Sequence, residues 1–375
     1  MKRPLLIILV AAMLVLAGCA DGTGTGTDDP TVEADDDLEE IDSDATDDDS
    51  STGEAEPDAD ESDNAETDDL DPGDAPDIDG ELEIHHIDVG QADATLLIEP
   101  SGETMLIDSG DWRQGGSDVI AYLEDQDVDR IDHLVATHGH ADHIGGHDAI
   151  IEHYETERNG IGVAYDSGVA HTSQTYERYL DAIEEHDVEL LIVEEGDHFE
   201  FGDATVDVLN PPTGDSGSDL HYNSVTLTIE FGEFSYLTTG DAEADAEQRM
   251  ADEHGDSLET DAYQAGHHGS TTSSTEPFMG QATPDVAIIS SAYDSQYGHP
   301  HDEVLEDYAD RGIETYWTAV HGDVVLTTDG NDLAVETEHE FSTEAADLLE
   351  EKPTDDDTQA SLTRPIDVAP APLVG

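Results

Sequence analysis

The chain has 375 residues, enough for one large domain or two small ones, and carries 95 Asp plus Glu against 10 Lys plus Arg, a formal net charge of -85. Its single cysteine excludes an intrachain disulfide. No Lys/Arg cluster exists to build the basic groove that usually grips nucleic acid. Such a chain repels itself at ordinary ionic strength, whereas at molar salt the screening length falls to roughly 3 Å and the repulsion is quenched. Between Asp21 and Gly80 lie 27 of the acids, with no basic residue, and the other 68 are spread outside that stretch. Acidity throughout fits a salt-rich, halophilic habitat better than a local acidic patch for one partner.

At the N-terminus, Lys2 and Arg3 precede an apolar run from Leu5 to Leu16. That run is short of the ~20 residues a bilayer crossing takes. It ends in Leu16-Ala17-Gly18-Cys19, which resembles a lipoprotein signal box, where small residues fit the signal peptidase and the cysteine becomes the lipid-bearing first residue. Residues 1–19 are therefore expected to be a signal peptide ending at Cys19, and the mature chain is expected to be lipid-anchored at the extracellular face of the cell membrane. Residues 20–80 have no aromatic side chain and few large apolar ones, so they cannot bury enough surface to offset ordering entropy. They read as a disordered acidic tether.

From Glu81 the pattern changes. "ELEIHHIDVG" and "ATLLIEPSGETMLIDSG" hold short alternating or apolar runs, with Ser101-Gly102 as the turn between two strands. Further strand patterns fall at Ile131 to Ala136, Val188 to Val193, Thr205 to Leu209, Val225 to Phe231, Phe234 to Thr239, Val286 to Ser290 and Val324 to Thr328. Helical patterns fall near Val119 to Asp125, Thr175 to Glu185, Ala242 to Glu253 and Glu303 to Arg311. Strands and hairpins interspersed with helices predict sheets covered by helices, an α/β or α+β class, in one domain over residues 81–341. The acidic, Pro-containing tail, 342–375, reads as disordered.

One stretch stands apart. "LVATHGHADHIGGHDAI" crowds four histidines and an aspartate into ten residues after an apolar strand. His138 and His140 are two apart, so an extended backbone points both the same way, and Asp142 and His143 follow where Ile144-Gly145-Gly146 leads toward a helix. Imidazole nitrogens and carboxylate oxygens so placed suit a pair of divalent ions a few Å apart. His147, beyond the two glycines, reads as a surface residue.

The spacing H-x-H-x-D-H after a strand resembles the signature of the metallo-β-lactamase superfamily, whose fold is a four-layer αββα sandwich of the α+β class with a binuclear metal site between the sheets. "HHIDVGQADATLLIEPSGETMLIDSG" resembles that family's opening strands, with Asp108 in its early aspartate position, and "FSYLTTGDAEADAEQ" resembles the strand whose final aspartate, here Asp241, bridges two metals. "DVGQADA", "TGDAEADAE", "YQAGHHGSTTS" and "SQYGHPHDEVLEDY" together look like the β-lactamase-like domain attached to the competence DNA-uptake channel ComEC. The resemblance implies His267 or His268 as the last ligand, with His267 preferred. It implies His299 and His301 at the rim of the cleft, against the alternative of a Pro-fixed turn, and Ser270 and Asn223 as substrate-binding positions. Members that hydrolyse lactams or thioesters supply one more histidine before the bridging aspartate, a place His221 can take; "NSVTL" instead follows the uptake-domain pattern.

The resemblance implies a metal-dependent hydrolase using two divalent ions, Zn or Mn foremost. The metals would bring a shared water from a pKa of roughly 16 toward neutrality. Asp142 and Asp241 would orient that nucleophile, and His267, His268 or His299 would pass a proton to the leaving oxygen. The uptake-domain likeness points to a phosphodiesterase or nuclease acting on extracellular or single-stranded DNA, against the acidic composition, which salt softens. DNA uptake would need a separate channel protein. The alternatives are hydrolysis of a lactone, thioester, lactam or other ester, and a non-catalytic metal-stabilised binding module. The sequence sets no oligomeric state.

Overall fold

The computed structural model describes residues 80–353. The signal segment with Cys19, the tether through residue 79 and the tail from residue 354 lie outside the described residues. In chain order the first half runs β1 (Leu82–His86), β2 (Thr95–Ile98), β3 (Thr104–Ile107), α1 (Ser117–Asp125), β4 (Ile131–Ala136), α2 (His147–Glu157), β5 (Ile161–Asp166), α3 (Gln174–His186) and β6 (Glu189–Ile192). The second half runs β7 (His198–Phe201), β8 (Ala204–Asn210), β9 (Thr226–Phe231), β10 (Phe234–Thr238), α4 (Ala244–His254), β11 (Ala262–Gln264), α5 (Glu276–Ala282), β12 (Val286–Ile289) and α6 (Asp302–Arg311). It closes with β13 (Glu314–Trp317), α7 (Thr318–His321), β14 (Val324–Thr328), β15 (Leu333–Thr337) and α8 (Ala345–Glu351).

The strands form two mixed sheets, ordered β15-β14-β1-β2-β3-β4-β5-β6 and β13-β12-β11-β10-β9-β8-β7. Their alternation is what makes four layers. On β4, Val135 faces the core between the sheets while Leu134 and Ala136 face the layer of α1, α2 and α3. On β12, Val286 and Ile288 face the same central core while Ala287 and Ile289 face α4, α5 and α6. Strands apolar on both faces belong in the middle of a sandwich, and the helices that cover them are apolar on one side only. Helix α3 shows the local logic: Ser173 caps it by accepting from Tyr176 N (3.2 Å), and Tyr176, Tyr179 and Ile183 form its buried stripe. The expected α+β, αββα architecture is the one observed.

Parallel neighbours β3, β4 and β5 end together on one edge of the first sheet, and β10, β11 and β12 do so in the second. Loops leaving the carboxyl ends of parallel strands are where side chains converge in such sheets. One boundary differs from expectation: the ordered domain runs past residue 341. Ala345 and Leu348 of α8 are buried in the helical layer over the second sheet, so this stretch packs despite its acidic composition.

Candidate metal centre

Strand β4 delivers Thr137 to His143 to its sheet edge, beside Asp108 at the end of β3. Asp108 accepts hydrogen bonds from Thr137 N (2.9 Å), Thr137 Oγ1 (2.7 Å) and His143 Nδ1 (2.7 Å). With its proton committed to Asp108, the Thr137 hydroxyl accepts from His138 Nδ1 at 3.1 Å. His268 repeats the pattern, donating from Nδ1 to the Ser290 carbonyl at 3.0 Å. In all three rings the Nδ1 proton is tied, so Nε2 is the nitrogen left to face a cation once its own proton is displaced.

Those lone pairs converge. His138, His140, His221 and Asp241 form one set of donors and Asp93, His143, Asp241 and His268 another, the donor atoms of each set lying within 4.8 Å of one another. Asp241 belongs to both: Oδ1 is 3.1 Å from His143 Nε2, and Oδ2 is 3.6 Å from His138 Nε2. Asp241 follows Gly240, whose φ of 50° and close approach to Ser224 Oγ and Thr137 leave no room for a Cβ. Gly145 plays the matching part in the first half, where a Cβ would sit 2.1 Å from Trp112 N.

His143 Nε2, His268 Nε2 and Asp241 Oδ1 are buried with no hydrogen-bond partner. Each orphaned buried group costs about 1–3 kcal/mol. Three aimed at one locus are the donor set a cation satisfies. Nitrogen and oxygen donors without thiolate fit Zn, Mn or Fe alike. The electrostatics agree. Burial works against the Asp241 charge, yet His143, His267 and His268 hold its pKa well below the carboxylate range. Burial likewise opposes protonation of His268, but Asp93 and Asp241 push its pKa up to about 9. His143 is driven well above the histidine range by Asp241 and Asp108 against the same burial. Positive charge is thus drawn to the buried carboxylates Asp93, Asp108 and Asp241, a demand a divalent ion would also meet.

The expected residues separate by position. His138, His140, His143, Asp241, His221 and His268 meet in the two sets, and Asp142 Oδ2 lies 3.5 Å from His268 Nε2 on their open side. Burial would raise the Asp142 pKa, but the neighbouring His268 and His143 rings hold it low. The preference for His267 over His268 reverses. Both have left-handed backbones, φ 49° and 56°, and their rings diverge, 6.0 Å between centroids. His268 enters the second set, while His267 turns to Glu243 (3.2 Å) and Thr272 (3.2 Å) beside His221.

His299 stands at the rim, its ring 5.8 Å from that of His267 and 6.2 Å from that of His268. Gln91 Nε2 donates to its Nδ1 at 3.2 Å, so its Nε2 carries the proton as a donor. Burial first, then the neighbouring histidines, push its pKa down to about 3. Asn223, Ser270 and His301 are held by partners in their own loops, and the surface reading of His147 is overturned. Asn223 is fully buried and holds its own loop, donating to Asp219 O at 2.7 Å and accepting from Ser216. Ser270 bonds Thr272 Oγ1 (3.0 Å) and its backbone nitrogen (3.3 Å) in a turn. His301 accepts from Thr271 N (2.9 Å) and bonds Tyr297 O (3.2 Å) through its other ring nitrogen, which commits both. His147, read as a surface residue, is fully buried, with Nδ1 2.6 Å from Ser109 Oγ, and burial lowers its pKa to about 4.

Asp93, the fourth member of the second donor set, was not among the candidates read from the sequence. It sits in "GQADA", a quoted stretch with no periodicity to distinguish one acid from another. Only the fold reveals that Gln264 Nε2 on β11 donates to its Oδ1 at 2.7 Å, leaving Oδ2 3.3 Å from His268 Nδ1.

Two facing sheets with paired His/Asp donor sets at one edge define an αββα protein built for a dimetal centre. A family model described as the metallo-beta-lactamase superfamily matches residues 87–292, and the chain belongs to that superfamily. It is similar to ComE operon protein 3 of Bacillus subtilis (strain 168), 29% identical over 265 residues, 66% of this chain and 33% of that protein. Recombination protein 2 of Haemophilus influenzae is 31% identical over 246 residues, 64% of this chain and 28% of that one. Competence protein ComA of Neisseria gonorrhoeae is 27% identical over 236 residues, 63% and 30% of the two chains. The chain spans about a third of the length of these relatives.

Proposed function

We propose that the chain is a metal-dependent phosphodiesterase, nuclease-like, that hydrolyses DNA outside the cell. The observation that carries it is the sharing of Asp241 between two donor sets whose open side bears Asp142. Divalent ions held there supply a water acidified toward neutrality and offset charge on a phosphoryl oxygen. Asp142, ionised, accepts a hydrogen bond from the attacking water and holds it in line. Asp108, Thr137 and Ser290 fix the ring orientations. His299, a neutral imidazole, donates a hydrogen bond from Nε2 to the leaving oxygen at the rim, and that oxygen takes its proton from solvent.

A specific observation favours a second reading. His221 lies in the first donor set, where the resemblance places the added histidine of lactam and thioester hydrolases. A panel of bis(p-nitrophenyl) phosphate, single-stranded DNA, a lactone and a thioester, run with Mn²⁺ or Zn²⁺ in molar KCl, separates them. The diester and DNA are expected to turn over, and His140→Ala to lose roughly 100-fold or more of that rate. Turnover of the lactone or thioester alone selects the second reading. Two bound metals with no turnover of any member leave a binding module, and a fully active His140→Ala variant removes the proposed centre.

The same proposal keeps Cys19 as a lipid anchor at the outer membrane face and assigns any DNA passage to a separate channel protein. Its support is the signal-like segment, and among the described residues no helix is long and apolar enough to cross a membrane. Incorporation of labelled fatty acid by the full chain, abolished in Cys19→Ala, is the expected result; equal labelling of both counts against the anchor.

A further inference from the structure

Beside the metal centre lies a cavity of about 410 Å³, whose wall includes Asp142 and Gln91, the residue that also holds His299. Its other walls are unlike the centre. Trp112 and Tyr297 line it and are 50% and 58% exposed, among the most exposed large side chains described. Trp112 is not loosely placed: its backbone nitrogen donates to Ala141 O at 3.0 Å, and Gly145 packs against it. Tyr297 is braced on His299, ring centroids 5.6 Å apart. Two aromatic faces kept in water, one fixed to the loop of Asp142 and the other to His299, cost hydration free energy unless something covers them.

The charge of the cavity says what that is not. Asp111, Asp142 and Asp294 line it, and Arg113 is the one cation among its described lining residues. Arg113 pairs with Asp111 at 3.0 Å and lays its guanidinium 5.2 Å over one face of the Trp112 ring, so the three carboxylates outnumber it. A phosphate is repelled here. A flat, uncharged ring is not, and stacking on aromatic side chains does not depend on basic residues.

We infer that this cavity is a base-binding subsite, which takes an unpaired nucleobase against Trp112 and Tyr297 while the adjoining phosphodiester lies at the metal centre. The inference rests on the phosphodiesterase reading and gives its substrate class: single-stranded rather than paired nucleic acid, since a paired base is already stacked. It also resolves how a chain of net charge -85 holds a polyanion. Affinity comes from stacking and from the metal centre, with salt needed only to screen repulsion.

The chain carries its own reporter. Of its two tryptophans, Trp112 is half-exposed and Trp317 is fully buried, so quenching by a bound base reads Trp112. Short oligothymidylate and an abasic oligomer of equal length are titrated into the metal-loaded full chain in molar KCl. Oligothymidylate is expected to quench the emission and the abasic oligomer to leave it unchanged. Tyr297→Ala is expected to weaken oligothymidylate binding about tenfold without altering retention of the abasic oligomer. Affinity is expected to rise with KCl, opposite to the usual slope for phosphate contacts. Equal quenching by both oligomers, none by either, or affinity that falls steeply with salt overturns the subsite. Hydrolysis of bis(p-nitrophenyl) phosphate is followed in parallel, so loss of base selectivity with diester turnover intact sinks the subsite alone. Base-selective quenching without turnover sinks the phosphodiesterase reading alone.

Discussion

Asp108 donates nothing to a metal, yet it decides which nitrogens can. It takes the His143 Nδ1 proton and the Thr137 hydroxyl proton, and through the latter sets the tautomer of His138. Asp108→Asn keeps a side chain that tolerates the left-handed φ of 59° but loses one acceptor oxygen. Metal affinity, measured by chelator competition, is expected to fall by about 10–100-fold while the fold is retained. An unchanged affinity would show that the ring orientations are fixed by packing instead. Of the seven residues in the two donor sets, His138, His140, His143, His221, Asp241 and His268 were legible in the sequence as candidates, because imidazoles in close spacing at strand ends are rare without a purpose. What was not legible was which neighbour of a pair turns inward. His267 and His268 differ only through successive left-handed backbones, and Asn223, Ser270 and His301 differ from ligands only in having found partners in their own loops.

Strand β1 is a central strand, paired with β14 on one side and β2 on the other, and its last residue, His86, is fully buried against Tyr236. Burial first, then His85, lower the His86 pKa to about 3. The folded chain therefore binds this proton less well than the unfolded chain, whose histidine titrates near 6.5. Stability from this group is complete above about pH 6.5 and is lost as pH falls from there toward 3. The shift corresponds to roughly 5 kcal/mol at its acid limit. His86→Phe is expected to flatten the urea midpoint between about pH 6.5 and 4 relative to the parent. Parallel acid limbs in parent and variant would assign the loss to other groups.

The same scale shows what patterning reads well. Strands with apolar runs, such as β4, β9 and β14, and helices with one clear stripe, such as α3 and α6, were located within a residue or two. The misses were β5, β7, β13, β15, α5, α7 and α8. In β7 and β15 the polar positions face solvent and leave too few apolar ones for a period. In α8 only Ala345 and Leu348 are buried, and an acidic surround concealed them.

As a whole, the molecule is governed by its charge. With 95 acids and 10 bases, attraction between opposite charges cannot balance repulsion among like ones, whatever the local ion pairs contribute. Thermal unfolding followed from about 0.1 M to 3 M KCl is expected to show a midpoint that climbs throughout, steepest where the screening length drops from about 10 Å to 3 Å. A flat response would mean that the carboxylates are spaced widely enough for repulsion to be negligible. Fold class was readable at this scale because periodicity survives an acidic surface, and the salt-rich reading is what the KCl series puts to the test.

Asp241 gives the two donor sets one common atom group, with Oδ1 toward residues brought by the first sheet's loops and Oδ2 toward both halves. The donors around it come from positions as far apart in the chain as Asp93 and His268. A cation bound by donors so far apart would hold the folded chain alone, because unfolding scatters them over more than a hundred residues and releases it. In a chain whose lone cysteine rules out a disulfide of its own, filling the centre would then fasten the two sheets together.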